Sequence, residues 1–245
     1  MRDWTYHLIA RAVDAFLWGG ELLGAENLPE EPPAVFIANH LGPLGPIGVV
    51  SSLPYRLYPW VAGEMIDPIL APDYIRRDFV EPRLKLRPPF SKKFSLFLTR
   101  ITVPLFRSIG GVQAYVGGQE LLYTTLEQSI TYLNEGKYLL VFPEYAILGT
   151  DSMKKIYSFQ KTVFRLGEMY YSSTRKRLGF FPLAVHESHK VRVGDPIFFS
   201  QMHDPAKERL RLKNLVEDSV RRMYAEMDQN YDSEEVLSPR INKIP

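Results

Sequence analysis

Residues 138–144, "YLLVFPE", form a short and almost unbroken apolar run, and this constrains the fold more than any other feature of the chain. A strand that alternates apolar and polar residues keeps one face in water. A strand without alternation needs cover on both faces, as in the middle of a parallel sheet. Two runs of the same kind, "AVFIAN" at 34–39 and "GFFPLAV" at 179–185, recur along the chain, and "LYPWVAG" at 57–63 and "KVRVGDPIFF" at 190–199 read as further strands. Between them lie helical patterns. One runs from about residue 46 to 52 and is closed by Pro54. A second, at 119–134, puts Leu122, Leu126, Ile130 and Leu133 on one stripe and ends at Glu135-Gly136, as a glycine following a helix favours. Others cover 158–173 and, as a charged amphipathic helix, 205–228. Strand and helix in alternation predict an α/β fold, a largely parallel sheet flanked by helices.

At 245 residues the chain has ample material for one large core, and 45% hydrophobic with 24% charged residues is ordinary for a folded protein. Cysteine is absent, which excludes a disulfide framework, a thiolate nucleophile and a cysteine metal site, and fits a reducing compartment. The net charge of +2 is modest, so any preference for anionic partners must come from local clustering. Three parts are expected: an N-terminal amphipathic helix and connector (1–27), an α/β domain (28–227) and a flexible tail (228–245).

The N-terminal stretch is interrupted by Arg11, Asp14 and Glu21, so it is neither a signal peptide nor part of a spanning helix, and no apolar run approaches the roughly 18 residues that spanning requires. Trp4, Leu8, Ile9, Val13, Phe16 and Leu17 recur at helical spacing, away from Arg2, His7, Arg11 and Asp14. Trp4 and Trp18 suit a membrane interface, and packing on the chain's own domain is the equal alternative. From Arg76 to Arg107 nine Lys or Arg residues stand against two acids, Asp78 and Glu81, interleaved with Phe90, Phe94, Leu96, Phe97, Leu98, Leu105 and Phe106. No zinc spacing, RNP-like pattern or recognition helix accompanies them, so nucleic acid is not the expected partner. Membrane lipids, met by residues 1–24 and 76–107, are, with a solvated basic face as the alternative.

Two strands end suggestively, "AVFIANH" at His40 and "YLLVFPE" at Glu144, where sites sit in sheets of this kind. His40 is a candidate general base and Glu144 a supporting carboxylate; a structural loop histidine and a capping glutamate are the bland readings. His186 and His189 in "HESH" do not have zinc-protease spacing, and Ser51, Ser52 and Ser158 lack a nucleophile-elbow context. No metal site is expected.

Four blocks occurring in order resemble the glycerolipid acyltransferases of the lysophosphatidic acid acyltransferase (PlsC-like) family over roughly residues 28–200. "NHLGPLG" (39–45) resembles its Asn-His block, "GGVQAYV" (110–116) its Gly-x-Ile-Pro-Val-x-Arg block, "FPEYAI" (142–147) its Phe-Pro-Glu-Gly-Thr-Arg block and "FFPLAV" (180–185) its Pro-valine strand. "SFQKTVFRLGEM" and "VRVGDPI" resemble the segments that follow the third and fourth blocks. The resemblance implies a glycerol-phosphate-acyltransferase-like fold, and acyl transfer from acyl-CoA or acyl-carrier protein to a lipid, without a cofactor, on the cytoplasmic face of a membrane. It implies His40 as general base, with Asn39, Gly45, Gly111, Val112, Phe142, Pro143 and Tyr145 around the substrate and Lys154 and Lys155 as candidate cations. The chain departs from the pattern at three points. Gly45 stands where the family has the aspartate that orients the histidine, Val116 where it has one arginine, and Tyr145-Ala146-Ile147 where it has Gly-Thr-Arg. A phosphate buried without cations is costly, so a neutral or less phosphorylated lipid or an amine is the expected acceptor. Glu64, Asp67 and Glu144 are the candidates to replace the missing carboxylate, and a non-catalytic lipid or acyl-chain binder is the alternative function.

Overall fold

The computed structural model describes residues 1–42, 44–114, 119–144, 156–201 and 204–237. The chain opens with α1 (Asp3–Val13), a π-helical turn (Asp14–Trp18), β1 (Glu21–Leu23), β2 (Ala34–Ala38), α2 (Leu44–Ser52) and β3 (Leu57–Ala62). A helical excursion follows, made of α3 (Gly63–Ile66), α4 (Ala71–Ile75), α5 (Glu81–Leu84) and α6 (Phe90–Ile109). The chain then returns to the sheet with β4 (Val112–Ala114), α7 (Gln119–Asn134), β5 (Tyr138–Val141), α8 (Arg165–Thr174), β6 (Gly179–His186), β7 (Lys190–Val193), β8 (Ile197–Phe198) and α9 (Pro205–Leu237).

The strands form one eight-stranded sheet in the order β1-β7-β6-β2-β5-β3-β4, with β8 also paired to β6. Among the described strands only the β6–β7 and β6–β8 pairings are antiparallel. The sheet is therefore largely parallel, as the apolar runs require. β2, β5 and β6 occupy its middle and are buried on both faces. Val35, Ile37, Leu139, Phe180 and Ala184 pack with Leu126 and Leu133 of α7, Leu166 of α8 and Leu212, Val216 and Val220 of α9. Ala34, Phe36, Leu140, Phe181 and Leu183 face Val49 and Leu53 of α2, and Trp18.

The N-terminal segment belongs to this second layer. Trp18, for which a lipid interface and packing on the domain were equal alternatives, is packed on the domain and 2% exposed. Its ring stacks on His189 at 4.8 Å and lies so close to α2 that a Cβ on Gly48 would sit 2.7 Å from it. Tyr6 is also buried; its hydroxyl accepts from the Leu57 N–H at 3.2 Å, and burial pushes its pKa up to about 12. Packing on the domain and exposure coexist in this segment, since Trp4, Leu8, Ile9 and Phe16 remain on the surface.

Other differences from the sequence pattern have local causes. The helix expected from 158 starts at Arg165 after a 3-10 turn (Lys161–Phe164), because Phe159 bridges to Glu144 and the Gln160 N–H donates to the Pro143 carbonyl. The strand expected over 190–199 breaks into β7 and β8 around Gly194-Asp195-Pro196, where Pro196 has no N–H to donate and a Cβ on Gly194 would meet Ser219 Oγ at 2.9 Å. α9 continues past the expected end at 228, held by buried Met223, Tyr224 and Met227 and by Asp228, whose Oδ1 lies 2.9 Å from His186 Nε2.

α6 is built the other way round from its neighbours. Ser91, Ser95, Thr99 and Val103 are its buried residues, while Phe90, Phe94, Phe97, Ile101 and Leu105 form an exposed stripe. A fully buried side chain of this size contributes about 1.5–3 kcal/mol, which this helix forgoes in water. It ends in a Schellman motif: Gly110 takes φ +82°, its N–H donates to Arg107 and that of Gly111 to Phe106. Among the described residues no helix is long and apolar enough to cross a membrane.

Candidate active site

The site grows from two adjacent parallel strands. β2 and β5 pair Ile37 with Val141, and continuing that register past both strand ends sets His40 beside Glu144. The contact is direct, but it does not involve the ring: the His40 backbone N–H donates to Glu144 Oε2 at 3.0 Å. The other carboxylate oxygen accepts from the Tyr157 N–H at 3.2 Å. Glu144 thus ties the His40 loop to the segment entering the 3-10 turn. Burial raises its pKa, opposed by the two N–H groups and by Arg221.

His40 lies at the surface of the loop, and its imidazole packs edge-on against Phe142, with ring centroids 5.1 Å apart. Its pKa is lowered, because the surrounding protein desolvates the charged form more than the hydrogen bond with the Gly42 backbone favours it. Among the described residues no carboxylate hydrogen-bonds the His40 ring. Asp67 Oδ1 instead accepts from the N–H groups of Ile69 and Leu70, and Glu64 lies near Tyr74 and Arg77.

Gly45 explains why the usual carboxylate cannot stand in this loop. It sits in the first turn of α2, backbone against backbone: a Cβ there would lie 1.8 Å from the His40 carbonyl oxygen and 3.1 Å from that of Asn39. No side chain of any kind fits this conformation. Asn39 is 0% exposed, and its amide is committed to β6, donating to the Val185 carbonyl at 2.9 Å and accepting from the Val185 N–H at 2.8 Å. It holds the strand ends together.

The remaining candidates divide. Phe142 lies against the His40 ring, and buried Pro143 accepts from Gln160. Gly111 belongs to the cap of α6, and Val112 is a fully buried core residue at the start of β4, so neither offers a polar group. Arg107, in the last turn of α6, donates to the Ile66 carbonyl at 3.1 Å. Tyr145, Lys154 and Lys155, with Val116, Ala146 and Ile147, lie outside the described residues.

A supporting network escaped the sequence reading. Glu217 of α9 accepts from the Phe159 N–H at 2.9 Å and pairs with Lys213 and Arg221, while Arg221 donates to the Ile156 carbonyl at 3.0 Å. Burial alone would raise the Glu217 pKa, yet Lys213, Phe159 and Arg221 hold it below the ordinary value. α9 therefore fixes residues 156–159, which in turn hold Glu144. The signal was present as Lys213, Glu217 and Arg221 at four-residue spacing on a helical face.

No protein-family model and no curated protein matches the chain. Among solved structures it is similar to the crystal structure of the 1-acyl-sn-glycerophosphate (LPA) acyltransferase PlsC from Thermotoga maritima, with a TM-score of 0.52 and 16% identity over 91% of this chain and 83% of that one. The fold is that of the PlsC acyltransferase. This agrees with the ordered blocks of the sequence and with the helices on both faces of a mostly parallel sheet. Within this acyltransferase fold, His40 and Glu144 stand together at the carboxyl ends of two central strands.

Proposed function

We propose that the chain transfers a fatty acyl group from a thioester donor, acyl-CoA or acyl-carrier protein, to a lipid acceptor. The observation that carries this reading is the placement of His40, exposed at the carboxyl end of a central parallel strand and fixed through its own backbone to Glu144. His40 takes the proton of the acceptor hydroxyl or amine as its oxygen or nitrogen attacks the thioester carbonyl. The new acyl bond forms as the carbon–sulfur bond breaks, and the imidazolium returns the proton to the departing thiolate. Orientation of the ring falls to Phe142 and to the Gly42 backbone. The lowered pKa keeps the ring neutral at pH 7, so the acid limb of kcat/KM is expected below 6.5, the ordinary histidine value. A neutral or less phosphorylated lipid, or an amine, fits the acceptor role better than lysophosphatidic acid, because the two arginine positions of the family blocks hold Val116 and Ile147. The reaction would run at the cytoplasmic face of a membrane, where thioester and lipid meet.

Gly45 favours a second reading, a lipid or acyl-chain binder of the same fold without chemistry, since the loop has no room for the orienting carboxylate. Release of free thiol from acyl-CoA, with and without mixed lysolipid acceptors, separates the two. Acceptor-dependent release that disappears in His40→Ala is the expected result. Acyl-chain binding with no turnover above that variant would establish the binder.

A further inference from the structure

We propose that the exposed face of α6 is a docking surface for an anionic phospholipid membrane. Two independent features of the helix meet here. Its apolar side chains are on the wrong side for a water-soluble helix: Phe90, Phe94, Phe97, Ile101 and Leu105 recur every three or four residues and stand outward, while Ser91, Ser95 and Thr99 are buried. The inward face is satisfied as it is. Ser91 Oγ donates to Glu81, Ser95 Oγ to the Lys92 carbonyl and Thr99 Oγ1 to the Ser95 carbonyl, so every buried hydroxyl has a partner where it stands, and turning the helix would break the Ser91–Glu81 bond. The inversion is therefore built in.

The second feature is charge. On the helix wheel Lys93, Arg100 and Arg107, seven residues apart, flank the apolar stripe on one side. The two acids of the region are already engaged, Asp78 with Arg77 and Glu81 with Arg76. An apolar stripe with a cationic flank matches a surface of apolar interior and anionic headgroups. It does not match a second copy of this chain, because an isologous pairing on this face would bring the cationic flanks of both copies into one interface. α1 is carried to the same region, since the Met1 ammonium donates to the Ser108 carbonyl in the last turn of α6 at 3.2 Å. The docking surface does not depend on the acyl-transfer reading, because its binding is measured without donor or acceptor.

The test is sedimentation of the full-length protein with vesicles of phosphatidylcholine alone and of phosphatidylcholine mixed with phosphatidylglycerol, at low and high salt. Wild type is expected to prefer the anionic vesicles, and His40→Ala to behave as wild type. Lys93→Gln combined with Arg100→Gln should lower binding to anionic vesicles about ten-fold at low salt and much less at high salt. Phe94→Ser combined with Phe97→Ser should lower binding to both vesicle types by about ten-fold or more, with the circular dichroism spectrum and Tm of wild type. Equal binding of wild type to both vesicle types would overturn the proposal, as would unchanged binding in the phenylalanine variant. A concentration-dependent dimer lost in that variant, in a chain that binds no vesicles, would assign the face to self-association instead.

Discussion

The loop that carries His40 and the outer face of α6 are opposite solutions to exposure. In the loop almost nothing is free. Asn39 clamps Val185 with both ends of its amide, Glu144 takes the His40 N–H, and Gly45 leaves no space for a single methyl group. On α6 the large side chains stand in solvent, with Phe97 56% exposed, and contribute little to holding the molecule together. The contrast separates two meanings of importance. Residues of the loop are constrained by the fold itself, so substitution there should register as lost stability. Residues of the α6 stripe should be nearly silent in stability, and whatever constrains them lies outside the isolated chain.

The largest effect is expected at Gly45. Gly45→Asp puts a carboxylate where the acyltransferase family has one, but its Cβ would overlap the His40 carbonyl oxygen. Denaturant unfolding should show a loss of about 4 kcal/mol or more, with no gain in turnover. A well-folded Gly45→Asp protein with faster thiol release would mean that the loop relaxes and that tightness is not its defining property. Asn39→Ala comes next. It leaves the N–H and C=O of Val185 without their partner in a buried position, for an expected loss of about 3 kcal/mol. Glu144→Gln should cost less, about 1–2 kcal/mol, because one amide oxygen still accepts while the NH2 group faces a second donor. An unchanged unfolding midpoint in either variant would remove the clamp from the account.

The same contrast shows how much of the molecule was legible in the sequence. Strands 34–38 and 138–141 were readable because both faces are covered and their composition carries no ambiguity. The helix at 119–134 and its apolar stripe were readable too, and Leu126 and Leu133 are buried as the periodicity suggests. α6 has an equally clear period, but periodicity gives the spacing of a face and not the side on which water lies. Only the serines and threonine at 91, 95 and 99 hinted that the polar face was the inner one. At the site, the positions of His40 and Glu144 followed from strand ends, whereas their contact through a backbone N–H did not, because a side chain's choice between ring and main chain depends on angles no residue pattern encodes. The loss of the aspartate was visible as Gly45; that the backbone forbids its return became visible only in the approach to His40.

The smallest expected effect is the sharpest check on the comparison. Phe97→Ser removes a ring that is more than half in water and leaves the buried seam of Ser95, Thr99 and Val103 untouched. Its stability change should fall within about 0.5 kcal/mol, as for surface substitutions away from any cap, cavity or network. A Phe at an ordinary core position would cost about 3–5 kcal/mol on truncation, so the two cases are well separated in a urea titration. A large loss at Phe97 would mean that the ring is covered in solution, by α1 or by a second molecule, and the exposed stripe would then belong to the fold like the His40 loop. A silent substitution that nevertheless weakens vesicle binding would place the constraint on Phe97 in the membrane.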